Sequence, residues 1–145
     1  MSTRNLSDIM RKEKSVGAIV FYNRKTPEFL LLHYVGGHWD LCKGHVEKGE
    51  EDVDTLKREI FEETKTKKFD VIPVFREEIN YSFKSGSHLV SKEVIFYLVE
   101  FKSKHIKISF EHQAFGWFSY EEALNKLTFD TAKGILKKAN DFLDQ

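Results

Sequence analysis

One cysteine, two prolines and no excess of either charge in 145 residues set the first limits. Cys42 alone forms no disulfide within the chain and no zinc site built on several thiolates, which fits a reducing compartment. The 23 Lys and Arg balance 23 Asp and Glu, so no bulk charge draws the chain toward nucleic acid or membrane. The longest apolar runs, Val16 to Tyr22 and Val94 to Val99, fall far short of the roughly 20 residues that cross a bilayer. No apolar signal-peptide core opens the sequence. These absences lead to the expectation of a soluble, cytoplasmic protein whose core is non-covalent. What is present supplies that core: 13 Phe, 5 Tyr and 2 Trp. A chain of this length buries about 68–70% of the surface its unfolded form exposes.

Residues 1–14 carry four bases and two acids, net +2, and are expected to form a flexible N-terminal arm or a short helix ahead of one domain spanning 15–145. Short β-branched and aromatic runs at Ser15 to Tyr22 and Phe29 to Tyr34, with Asn-Arg-Lys-Thr-Pro-Glu between, read as two strands and a turn. Val71 to Phe83 and Glu93 to Phe101 read as two long strands, the second alternating Val94, Phe96 and Leu98 against Ile95, Tyr97 and Val99. Lys84 to His88 is the loop between them. Further strands are expected at Ile106 to Phe110 and Gly116 to Phe118. Ser119-Tyr-Glu-Glu122 has the reciprocal capping pattern that starts a helix, and Phe129, Ala132, Ile135, Leu136, Ala139 and Phe142 keep a helical period. The expected class is α+β or mixed α/β, a sheet-rich centre with two or three helices and no repeat.

Charge is concentrated between Glu47 and Glu63, where eight acids face three bases, net −5. Val53, Leu56 and Ile60 recur there at helical spacing, so Asp52 to Thr64 is expected to be a helix with a narrow apolar face and a wide acidic one. Glu59, Glu62 and Glu63 stand at i, i+3 and i+4, on one side of that helix. Taken alone, such a run is most simply a solvated face. The same spacing also suits hard oxygen ligands for magnesium or manganese.

The longer pattern decides between them. Gly44-His-Val-Glu-Lys-Gly-Glu50 followed by Arg58-Glu-Ile-Phe-Glu-Glu63 resembles the Nudix box, G-x5-E-x7-R-E-U-x-E-E-x-G-U with U aliphatic. Lys65 and Thr66 depart from it, standing where the family has Gly and an aliphatic residue. The resemblance implies a Nudix-type α/β/α sandwich with a mixed sheet, and metal-dependent attack of water on the phosphorus of a nucleoside diphosphate derivative. It implies Glu59, Glu62 and Glu63 as metal ligands. Arg58 orients the carboxylates, and Glu50 serves as an outer ligand or loop support.

Outside the box the chain is similar to a branch of that family, the asymmetric diadenosine tetraphosphate hydrolases. The similarity rests on His38-Trp-Asp-Leu-Cys-Lys-Gly-His45, Arg76-Glu-Glu-Ile-Asn-Tyr81, Lys92-Glu-Val-Ile-Phe-Tyr97 and Glu111-His-Gln-Ala-Phe-Gly-Trp117. It implies phosphate contacts at His38, Lys43 and Lys92, with the Lys43 carbonyl also on a metal. Glu111 is implied as a further carboxylate, metal ligand or general base, and Tyr81 and Phe129 as rings that stack on adenine. The expected partner is a small dinucleoside polyphosphate or another nucleotide bound by a monomer, with no membrane and no extended nucleic-acid groove. Two other readings stay open: RNA 5′ ends or sugar nucleotides as substrates, which the basic strip Lys102, Lys104, His105 and Lys107 would assist, and a nucleotide-binding module without catalysis. Cys42 stands where the branch usually has Pro and reads as a small buried hydrophobe. The segment Lys84 to Ser91 reads as a longer loop than in relatives.

Overall fold

The computed structural model describes residues 10–145. Seven strands form one mixed sheet: β1 (Met10–Asn23), β2 (Pro27–Tyr34), β3 (Trp39–Asp40), β4 (Cys42–His45), β5 (Phe69–Ser85), β6 (His88–Phe101) and β7 (His112–Phe118). Three helices accompany them, α1 (Asp52–Thr64), α2 (Tyr120–Lys126) and α3 (Asp130–Leu143). The central path runs β3-β2-β1-β6-β5, with β4 on β1 and β7 on β2. Strand β1 lies parallel to β6 from Met10 opposite Leu89 to Phe21 opposite Glu100, while its other edge pairs antiparallel first with β4 and then with β2. Among the described residues no helix is long and apolar enough to cross a membrane.

The period-2 alternation of the strands divides the core in two. Ile19, Phe21, Phe29, Leu31, Val94, Phe96 and Leu98 meet Ala132, Ile135, Leu136 and Ala139 of α3 on one face. Val16, Ala18, Val20, Leu30, Leu32, Cys42 and Val99 meet Leu56 and Ile60 of α1 on the other. The alternation expected in β6 is therefore real, and the molecule is an α/β/α sandwich. Ser119 caps α2 as its sequence pattern requires: its hydroxyl accepts from the Glu122 amide at 3.3 Å while its own amide donates to the Glu122 carboxylate at 3.3 Å.

Four expectations are corrected. Met10 to Lys14 are strand rather than arm, because their backbone pairs with β6 and the Lys14 ammonium bonds Asp52 at 2.8 Å; residues 1–9 lie outside the described residues. The segment Lys84 to Ser91 is no long loop: Ser85 pairs with His88, so β5 and β6 close over a two-residue turn. Ile106 to Phe110 is not a strand, since the Lys107 amide donates to the Thr64 carbonyl at the end of α1 instead of to a ladder. Val53 is 47% exposed and adds nothing to the apolar face of α1.

Helix α1 ends on Lys65 in the left-handed region, φ 61°, with its amide bonded to the Phe61 carbonyl at 2.8 Å. A residue with a Cβ pays about 1–2 kcal/mol there. Lys65→Gly is therefore expected to raise the unfolding free energy by about 1 kcal/mol in urea denaturation; an unchanged midpoint would show that the turn is not strained.

Candidate active site

Arg58 on α1 spends its guanidinium on the segment that leads into the helix. Nε and Nη2 donate to the two oxygens of Glu50 at 2.8 and 3.0 Å, and Nη2 also donates to the His45 carbonyl at 2.8 Å. Nη1 donates to Glu59 at 2.7 Å and to Glu62 at 3.4 Å. The planar fork suits two carboxylate oxygens at once. Glu50 also accepts from the Glu47 amide at 2.9 Å and the Thr55 hydroxyl at 2.8 Å. The Arg58 fork and the Glu47 amide hold the Glu50 carboxyl down at about 2. These bonds tie Glu50 to the loop that leads into α1.

Glu59 has the opposite character. Burial raises its carboxyl to about 7, and the charges of Glu63 and Glu62 push the same way against the pull of Arg58. Its carboxylate lies so close over β4 that a Cβ on Gly44 would stand 1.9 Å from Cδ, so any larger residue there would displace the Glu59 carboxylate from this position. Glu63 is 4% exposed. Its Oε2 accepts from the Tyr34 hydroxyl at 3.2 Å and lies 3.2 Å from Nε2 of the buried His112, while its Oε1 is buried with no partner. The His112 Nδ1 meets the Ser109 hydroxyl at 3.1 Å.

These acids border a cavity of about 400 Å³ lined by Glu59, Glu62, Glu63, Lys65, Ser109 and Glu111. Three helix carboxylates and the loop residue Glu111 therefore share one space. Among the described residues no three potential ligands are already drawn together at metal-binding distance. Arg58 turns Glu59 aside and Tyr34 holds one oxygen of Glu63. The donor set nevertheless fits a hard cation: it is all carboxylate, and it contains a buried acceptor left unsatisfied.

A second cavity, of about 430 Å³, is lined by Asp40, Lys43, Ile79, Tyr81, Phe129 and Ala132 among others. It brings together Lys43, Tyr81 and Phe129, residues far apart in the chain. The Lys43 ammonium is held by the buried Asp40 at 3.1 Å. His38 lines neither cavity; its ring stacks on Tyr34 at 4.9 Å and meets Phe129 at 5.4 Å. Lys92 is buried and also stands apart from both, with its ammonium 3.3 Å from His45 Nδ1 and 3.5 Å from Glu13. Burial lowers its pKa against the charge of Glu13, and Lys43 adds to the lowering. Cys42 is the buried small hydrophobe expected, its thiol pushed up by burial. The basic strip is partly neutralised, with Lys102 on Asp70 at 2.7 Å and Lys104 on Glu28.

Comparison with known proteins assigns the family. The NUDIX domain model matches residues 11–138. The chain belongs to the Nudix family. It is 36% identical over 143 residues to the asymmetrical bis(5′-nucleosyl)-tetraphosphatase of Mus musculus, covering 90% of this chain and 95% of the mouse protein. The corresponding protein of Sus scrofa gives the same identity and coverage. Among solved structures, a binary complex of a C. elegans Ap4A hydrolase superposes with a TM-score of 0.76 at 25% identity, over 91% of this chain and 98% of the other. Nudix hydrolases generally require a divalent metal ion.

Three residues of this Nudix site escaped the sequence. Tyr34 and His112 reach Glu63 only through tertiary contact, and Asp40 supports Lys43 from the end of β3. The pattern Asp40-Leu-Cys-Lys43 held a signal for the last, an acid three residues before the base.

A carboxyl at about 7 in the folded Nudix domain and about 4.3 unfolded binds more protons when folded. Its contribution to stability is full below about pH 4.3 and is lost as pH rises through about 7. In metal-free buffer, Glu59→Gln is therefore expected to melt above the parent at pH ~8, with the gap closing toward pH ~4.5. A gap of equal size at both would exclude Glu59 as the titrating group.

Proposed function

We propose that the protein is a cytoplasmic, monomeric hydrolase that cleaves diadenosine tetraphosphate into ATP and AMP by attack of water on phosphorus. The observation that carries this reading is the second cavity, in which a lysine and two aromatic rings surround a space of about 430 Å³ apart from the acidic one. Any adenine presents a π-face to Tyr81 and Phe129, each ring contributing roughly 1–3 kcal/mol by stacking. Lys43, fixed by Asp40, supplies positive charge to the phosphate chain between the two cavities. His38, which buttresses Phe129, and Lys92 are further phosphate contacts from outside the cavity, and the Lys92 ammonium adds to that charge. The named activity of the mouse and pig relatives supports the same substrate.

Magnesium or manganese would be held by Glu59, Glu62, Glu63 and Glu111, with the Lys43 carbonyl as a further oxygen. Such an ion supplies charge neutralisation at the phosphoryl group and a lower pKa for bound water. The chain's own contribution is placement. Arg58 keeps Glu59 and Glu62 on one side of α1, Gly44 clears the space into which Glu59 projects, and Glu111 stands in the loop before β7 as an acceptor for the proton of the attacking water. The neutralised Lys102 and Lys104 argue against an RNA track.

The decisive assay incubates the protein with diadenosine tetraphosphate and magnesium in heavy-oxygen water. ATP and AMP, one of them labelled, are expected; intact dinucleotide beside turnover of 5′-triphosphate RNA or a sugar nucleotide would reassign the substrate. Phe129→Ala and Tyr81→Ala are each expected to raise KM about tenfold with little change in kcat. Glu59→Gln is expected to lower kcat on the order of a thousandfold, read against an unchanged fold by circular dichroism.

A further inference from the structure

Tyr34 ends β2 with its ring enclosed on two sides. His38 stacks face to face on it, centroids 4.9 Å apart and planes 6° from parallel, and His112 meets it edge-on at 4.5 Å and 69°. The ring therefore has no freedom to swing, and its hydroxyl is delivered to one place. There it lies 3.0 Å from the Leu41 carbonyl and 3.2 Å from Glu63 Oε2. A phenol has one proton for these two acceptors, so the oxygen sits in a fork between β4's approach and α1.

The consequence falls on Glu63. Its Oε2 faces the Tyr34 hydroxyl and His112 Nε2, and the Glu63 side chain is 5% exposed. Oε1 is left buried and without a partner. A carboxylate gripped by one oxygen keeps the other in a fixed direction, which is what a ligand to a cation needs. We infer that Tyr34 is a positioning residue, one that locks Glu63 by its Oε2 and so presents Oε1 to the divalent ion. The inference rests on the reading of Glu63 as a metal ligand. It assigns to a tyrosine outside the acidic motif a share of the metal affinity and no contact with substrate.

Tyr34→Phe keeps the ring, and with it the stacking on His38 and His112, while removing the hydroxyl alone. Manganese binding to the purified protein, followed by calorimetry without nucleotide, is expected to weaken about tenfold, as for other groups that orient metal ligands. Activity is expected to fall at limiting manganese and to recover at saturating manganese, with KM for diadenosine tetraphosphate unchanged there. Glu63→Gln, measured alongside, separates the two levels of the reading. If Glu63→Gln loses manganese affinity and Tyr34→Phe does not, the positioning role is overturned while the ligand stands. If Glu63→Gln binds manganese like the parent, Glu63 is no ligand and the inference falls with it. Fluorotyrosine at position 34 gives a test that removes nothing: its fluorine resonance is expected to move as magnesium is added, and a static resonance at saturating metal would overturn the contact.

Discussion

Three acids of the segment that enters and forms α1 are tied to one guanidinium. Arg58 bonds Glu50 with two nitrogens, Glu59 and Glu62 with the third and the His45 carbonyl in addition. Without it, partly buried carboxylates on one helix side would repel each other with little water to screen them. Lysine could not replace it, since a single ammonium cannot satisfy both oxygens of Glu50 while reaching Glu59. The distribution is uneven, however. Glu50 receives the bidentate pair and is held at about 2, whereas burial dominates at Glu59 and takes it to about 7. Arg58 thus secures the loop fully and the helix carboxylates only in part, leaving negative charge in the cavity for a cation to meet.

A four-residue strand links this acidic side to the cavity across the sheet. β4 pairs with β1 in regular register, so its side chains alternate. Cys42 enters the core under α1, Lys43 lines the aromatic cavity, and Gly44 yields its place to the Glu59 carboxylate. Shifting β4 by one residue would send Lys43 into the apolar core and put a side chain against Glu59. The register of β4 is therefore a functional constraint as much as a structural one. It is fixed by backbone pairing with the buried stretch of β1 that begins at Ser15.

Much of this was legible in the sequence because the signals were local. Leu56 and Ile60 marked the buried side of α1, and Ser119 with Glu122 marked the start of α2. The alternation of Val94, Phe96 and Leu98 gave the two faces of β6, and the family resemblance carried by Gly44, Glu50, Arg58, Glu59 and Glu63 implied the acidic half of the candidate site. What failed to show was set by partners distant in sequence. Met10 to Lys14 look like a polar arm because an edge segment beside β6 needs no apolar residues to make ladder bonds. Ile106 and Ile108 look like strand because they are apolar, yet they pack against the α1 core while the Lys107 amide turns to Thr64. Glu111 was visible as a carboxylate, but its neighbour His112, fully enclosed beside Glu63, carries no pattern that distinguishes it from a loop histidine.

The cost of the site explains why such features resist sequence reading. Local rules favour exposed acids, glycine at the end of α1 and partners for buried oxygens. This chain buries Glu63 with one oxygen unpaired, raises the Glu59 carboxyl chiefly by burial and ends α1 on a left-handed Lys65. An unsatisfied buried acceptor alone costs roughly 1–3 kcal/mol. A cation held in the acidic cavity, as proposed, would relieve the first two penalties by pairing Glu63 Oε1 and favouring the ionised form of Glu59. It would not relieve the third, because Lys65 lines the cavity with no carboxylate bonded to it, and its strain belongs to the helix terminus. Site strain and fold strain are thereby separable: a bound cation would relieve the one, and only a change of residue relieves the other.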